Sequence, residues 1–112
     1  MYLSENQSAA IARWAERVPE IRRVVLFGSY AKGTATNDSD VDLAIEMSDD
    51  SDARSSFAAR FSTWETELFE ITRLDVSLDL LHPVQAPHTY AFVQACYVVI
   101  FDRAQKVAGA RN

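Results

Sequence analysis

Cysteine, proline and glycine are scarce: one, three and three in 112 residues. The lone thiol, Cys96, excludes an intrachain disulfide, and its apolar neighbours predict a small buried hydrophobe rather than a nucleophile. No apolar run approaches the ~20 residues of a membrane-crossing helix. No basic segment leading into an apolar stretch opens the chain. A soluble, cytoplasmic protein is expected, with no membrane association. Clustered Lys and Arg are also missing. With 11 basic and 16 acidic side chains the net charge is -5, which argues against strong nucleic-acid binding. An acidic chain that handled nucleotides would need a cation such as Mg2+ between the two. Repeats and low-complexity segments are absent as well, and the length fits one domain over 1–112. Hydrophobic residues are plentiful at 48%, with two Trp and six Phe, so a core can form without a disulfide or a structural metal.

A helix is predicted from Ser4 to Arg17. Ser4 and Gln7 have capping-box spacing, Ile11, Trp14 and Val18 form a stripe, and Pro19 ends it. Ile21 to Phe27 reads as a strand whose continuously apolar centre suits an inner position. A short helical turn, Tyr30 to Lys32, stops at Gly33, and the polar stretch Thr34 to Ser39 is a loop. Val41 to Met47 is the second strand. The polar segment Ser48 to Asp52 can cap a helix over Ala53 to Glu70, whose stripe Phe57, Phe61, Trp64, Leu68 and Ile71 is expected in the core. Leu74 to Leu81 alternates as a third strand, with Asp75, Ser77, Asp79 and Leu81 on one face. A last helix starts near Pro87 and reaches Tyr97. Val98 to Phe101 adds a short edge strand, and the tail after Asp102 is polar and expected to fray. The fold class is α/β (α+β), a small mixed sheet of three to four strands packed with helices.

Two carboxylates at i and i+2 of a strand point to one face, about 6–7 Å apart at their α-carbons. Asp40 and Asp42 have that spacing, while Val41, Leu43 and Ile45 anchor the other face. Like charges this close favour a hard cation such as Mg2+ between them. Taken alone, Asp-x-Asp is equally a solvated strand start. Gly28-Ser29 follows the first strand and opens a turn whose hydroxyl and N–H groups suit an anion. A phosphate site beside paired carboxylates implies one ligand, a metal-bound nucleoside triphosphate. The P-loop pattern is absent. A two-metal centre needs a third carboxylate. Asp75 and Asp79 are the candidates, and the apolar run around Asp79 favours it, since a carboxylate there needs a reason.

The stretch Gly28-Ser29-Tyr30-Ala31-Lys32-Gly33 through Ser39-Asp40-Val41-Asp42-Leu43-Ala44-Ile45 resembles the signature of the minimal nucleotidyltransferase (MNT) family, in the DNA polymerase β-like nucleotidyltransferase superfamily. Leu78-Asp79-Leu80-Leu81 is similar to that family's third-aspartate strand. The likeness runs from about Ile21 to Phe101. It implies that Asp40, Asp42 and Asp79 hold two Mg2+ ions with ATP, and that Asp79 helps deprotonate the attacking hydroxyl. It implies that Gly28 and Ser29 hold the β- and γ-phosphates. Lys32 stands where the family usually carries Arg or Lys; it either meets a phosphate or is an exposed lysine. Ser39 reads as structural. Arg22, Arg23, His82 and His88 read as surface groups.

Stand-alone members of the family are often antitoxins of HEPN–MNT pairs. The resemblance therefore implies AMP transfer from ATP to a tyrosine of a HEPN toxin partner. The alternatives are stoichiometric binding without chemistry, through groups such as Tyr90, Phe92, Tyr97 and Phe101, or nucleotidyl transfer to a small molecule. Base preference and oligomeric state are open at this level.

Overall fold

The structure, a computed structural model, describes residues 1–105. Among the described residues four helices and four strands alternate: α1 (Glu5–Glu16), β1 (Ile21–Phe27), α2 (Gly28–Lys32), β2 (Val41–Met47), α3 (Ala53–Thr72), β3 (Val76–Leu80), α4 (Pro87–Ala95) and β4 (Val98–Asp102). The strands form one mixed sheet in the order β3-β2-β1-β4. β1 is antiparallel to both β2 and β4, whereas β2 and β3 run parallel and are joined through α3. Among the described residues no helix is long and apolar enough to cross a membrane.

β1 is central because its Val24 to Phe27 run is apolar on both faces, and all four residues are buried. The two faces have separate cores. On one, Val24, Leu26, Val41, Leu43, Ile45, Leu78 and Leu80 pack under α1 and α3 with Ile11, Trp14, Trp64 and Leu68. Trp14 and Trp64 meet edge to face at 6.0 Å, and Trp14 Nε1 donates to Glu67 at 2.9 Å. On the other face only Val25, Phe27, Ala44 and Leu81 are covered, by Val93 of α4. This thinner cover leaves the polar positions of β2 and β3 on that face accessible.

Ser4 forms the capping box with Gln7, as its spacing requires. Several boundaries differ from expectation. α2 begins at Gly28 rather than Tyr30, with Gly28 itself at φ +71. α3 runs on to Thr72, β3 starts only at Val76, and α4 ends at Ala95. Asp52 makes no capping hydrogen bond. Instead Gln85 Oε1, from the β3–α4 loop, accepts from Arg54 N at 2.8 Å. The α3 stripe is only partly core: Trp64 and Leu68 are buried, Phe57 is half-buried, and Phe61 and Ile71 are exposed. Cys96 is half-buried at the end of α4 rather than buried. Arg103 does not fray. Its guanidinium donates to the carbonyls of Ala15, Val18 and Ile21 at 3.0–3.1 Å. The remainder of the tail, 106–112, lies outside the described residues.

Candidate functional site

The site is assembled where β1 ends and β2 begins. Phe27, the last residue of β1, pairs with Asp42 across the antiparallel ladder. Asp40 immediately precedes β2 and is exposed; Asp42 is half-buried on the face opposite Val41 and Leu43. Parallel pairing sets Ser77 beside Asp42 and Asp79 beside Ala44, so Asp79 stands diagonally across from Asp42 on the same face. Asp75, the other candidate third carboxylate, is exposed before the start of β3.

The electrostatics record this convergence. Burial first, then the charges of Asp79 and of Asp40, hold the Asp42 carboxyl above its ordinary value. Burial and the neighbouring Glu65 do the same to Asp79. No protein donor hydrogen-bonds either carboxylate among the described residues. Half-buried, like-charged and unpartnered carboxylates are the oxygen donors that a hard divalent cation satisfies. Among the described residues no three His, Cys, Asp or Glu groups close into a ready-made metal cluster. A Mg2+ ion is commonly held by one or two carboxylates with the rest of its shell from water and substrate phosphates, and the donor set here suits that arrangement.

Gly28 has a second constraint besides its positive φ. A Cβ there would sit 3.2 Å from Asp42 Cγ and closer still to Oδ2. The close approach that glycine permits is thus made by the chain's own carboxylate, which ties the β1–α2 turn to the aspartates. Phe27 provides no side-chain cap to α2. Gly33, at φ +80, ends the turn and donates its N–H to Ser29 O. The Lys32 ammonium lies 5.7 Å from the centre of the Phe92 ring. Ser39 is structural: its hydroxyl accepts from Thr36 N at 2.9 Å and shapes the loop before Asp40.

Three polar residues here carry no local signal in the sequence. Glu65 of α3 accepts from Leu78 N at 2.9 Å and so sits beside Asp79. Gln85 links the β3–α4 loop to α3 and to Asp50 O. His82, read from the sequence as a surface group, is buried instead. Its Nδ1 accepts from Val84 N and Gln85 N, and its Nε2 faces Asp50 at 3.0 Å. The turn after β3 wraps around the imidazole, which stands in for backbone acceptors the turn lacks. His88 is exposed as expected, and of the arginine pair Arg22 is exposed while Arg23 meets Glu46 at 3.1 Å.

A glycine turn abuts Asp42, Asp40 directly precedes the same strand, and Asp79 stands on the parallel neighbouring strand. The chain belongs to the Polymerase beta nucleotidyltransferase family, which it matches over residues 9–106. It is similar to the protein adenylyltransferase MntA of Shewanella oneidensis, with 30% identity over 79 residues, 70% of this chain. That match spans about half (50%) of the relative's length. Among solved structures, a toxin–antitoxin crystallised with AMP-PNP shares the fold at TM-score 0.66 and 22% identity, covering 97% of this chain and 88% of that one. A mutant MntA–HpeT toxin–antitoxin superposes at TM-score 0.64 with 26% identity, over 93% and 76% of the two chains. An MNT antitoxin in complex with a tri-AMPylated Shewanella oneidensis HEPN toxin superposes at 0.59 with 21% identity, over 92% and 75%.

Proposed function

We propose that the chain transfers AMP from ATP to a hydroxyl of a HEPN toxin, a tyrosine hydroxyl, and acts as the antitoxin of the pair. The observation that carries the chemistry is the placement of Asp42 and Asp79 on one face of the sheet beside Gly28, with Asp40 directly before β2. The similar proteins, an adenylyltransferase and an MNT antitoxin in complex with a tri-AMPylated toxin among them, supply the direction. In this reading Gly28 and Ser29 hold the β- and γ-phosphates, and Lys32 can swing from Phe92 to meet them. Asp40, Asp42 and Asp79 would hold Mg2+ with the nucleotide. Bound there, Mg2+ would neutralise the triphosphate and favour ionisation of the acceptor hydroxyl. Asp79 takes the hydroxyl proton at its carboxylate, a role helped by burial and Glu65, which raise its proton affinity. The hydroxyl oxygen bonds to the α-phosphorus, and pyrophosphate leaves with the bridging electron pair. Much of the acceleration comes from holding these groups in line.

The test is incubation with a HEPN toxin, Mg2+ and ATP labelled at the α-phosphate. Label on a toxin tyrosine is the expected result, and no label on any HEPN candidate overturns the proposal. A specific observation favours a binding-only reading: Phe92, Tyr97, Val98 and Val99 are exposed around α4 and the β4 edge. The D40A/D42A double variant separates the two. Loss of both transfer and toxin neutralisation supports chemistry; neutralisation without transfer supports binding alone.

A further inference from the structure

Across the sheet the groups of the site run in one order. Gly28 and Ser29 follow β1, Asp40 and Asp42 open β2, and Asp79 sits on β3, the edge strand. Beside that edge lies a cavity of about 300 Å³, lined by Asp79, by Arg54, Phe57 and Phe61 of α3, and by Thr89 of α4. In-line displacement requires nucleophile and leaving group on opposite sides of the α-phosphorus. On the function proposed above, on which this inference rests, pyrophosphate departs over β1. The acceptor then enters from the β3 side, through this cavity.

The lining says what enters. Phe57 and Phe61 stack with ring centres 5.6 Å apart and planes 20° from parallel, giving one wall a flat aromatic surface. Phe61 is exposed, although it belongs to the apolar stripe of α3. The guanidinium of Arg54 makes no hydrogen bond or ion pair among the described residues. Asp79 adds a hydrogen-bond acceptor to the same space. A planar ring carrying a hydroxyl matches both parts: its face covers the phenylalanines and its O–H reaches the carboxylate. A serine or threonine stem would leave the aromatic wall wet.

We propose that this cavity is the acceptor pocket, that it takes an aromatic side chain bearing a hydroxyl, and that Phe57 and Phe61 select it. In the step it serves, the ring hydroxyl oxygen forms a bond to the α-phosphorus and its proton is taken up at Asp79. The bond from that phosphorus to the bridging oxygen breaks, and the pyrophosphate keeps the electron pair.

The experiment is a titration of the 15N-labelled chain, followed by NMR, with N-acetyl-tyrosinamide and separately with N-acetyl-serinamide. The tyrosine probe is expected to shift the amides of Arg54, Phe61 and Thr89 saturably, and the serine probe is not. Phe61→Ala should weaken the tyrosine probe at least fivefold. Phe61→Trp, which restores a flat face, should bind within twofold of the unaltered chain. Because Phe61 is exposed, these variants should retain the fold, which their spectra report. Equal response to both probes, no saturable shift at these amides, or full affinity in Phe61→Ala overturns the pocket, even if AMP transfer is observed. Absence of AMP transfer by the unaltered chain overturns the proposed function, and with it the pocket's role as acceptor site, whatever the probe does.

Discussion

At Gly28 a hydrogen atom stands where any other residue would put a methyl group against the Asp42 carboxylate. Gly28→Ala therefore has two costs. The left-handed backbone strains an L-residue by about 1–2 kcal/mol, and the carboxylate must swing aside. The expected outcome is folded protein with a roughly 10²-fold loss in kcat/KM for AMP transfer, the scale set by misplacing a reacting group by about 1 Å. Denaturant titration and a transfer assay read the two effects separately. Asp42 makes its own prediction. Its carboxyl and that of Asp79 are held above the ordinary value of 3.8. Between that value and the raised one, the native state binds more protons than the unfolded chain, so stability falls as pH rises through the window. Above it the loss is complete, and both charges weigh on the cation-free protein at neutral pH. Asp42→Asn and Asp79→Asn should raise the melting temperature of the metal-free chain at pH 7, with the gain vanishing below pH 3.8. Mg2+ with an ATP analogue should stabilise the unaltered chain and not Asp42→Asn. Equal melting of all three metal-free proteins at pH 7 would contradict the crowding of these charges.

Among the elements, α3 and β3 are coupled at the site through Glu65, whose carboxylate holds the Leu78 N–H and raises Asp79. Glu65→Gln keeps an acceptor oxygen but removes the charge. The acid limb of the pH profile for transfer should move to lower pH, because a like charge no longer disfavours the ionised Asp79. Glu65→Ala also leaves the Leu78 N–H without its partner, and about 1–3 kcal/mol of stability should be lost. An unmoved acid limb in Glu65→Gln would remove Asp79 from the role of base. How well each element could be read from sequence follows the range of the interactions that form it. β1 and β2 appear with the expected bounds because their apolar patterns are local. The start of α2 differs from expectation because glycine is a turn residue in sequence and opens the helix in the fold. The apolar periodicity of α3 includes the exposed Phe61 and Ile71, because spacing marks a face without saying how much of it is covered. The burial of His82 and the cap from Gln85 were invisible, since both rest on partners in a loop or helix distant in sequence.

For the molecule as a whole, Arg103 joins the end of β4 to the last turn of α1 and the start of β1 through three carbonyl oxygens. A cation at a helix C-terminus also meets the favourable end of its dipole. Arg103→Ala should cost about 2–3 kcal/mol, in the range of charge-assisted hydrogen bonds. Urea denaturation measures it, and a loss under about 0.5 kcal/mol, the scale of an ordinary surface substitution, would show the clamp to be idle. The family signature, the mixed α/β class and the bounds of β1 and β2 follow from the sequence without the fold. Their apolar patterns are local, and the β1–turn–β2 segment is continuous in the chain. Tertiary structure alone decided that β3 lies parallel to β2, that Asp79 stands diagonal to Asp42, and that Glu65 and the aromatic cavity flank it. Those placements come from burying whole faces of α3 and the sheet against each other, a requirement no local spacing carries. The Gly28–Asp42 contact belongs to both: the residues are set by the motif, and the antiparallel register of β1 and β2 brings them together.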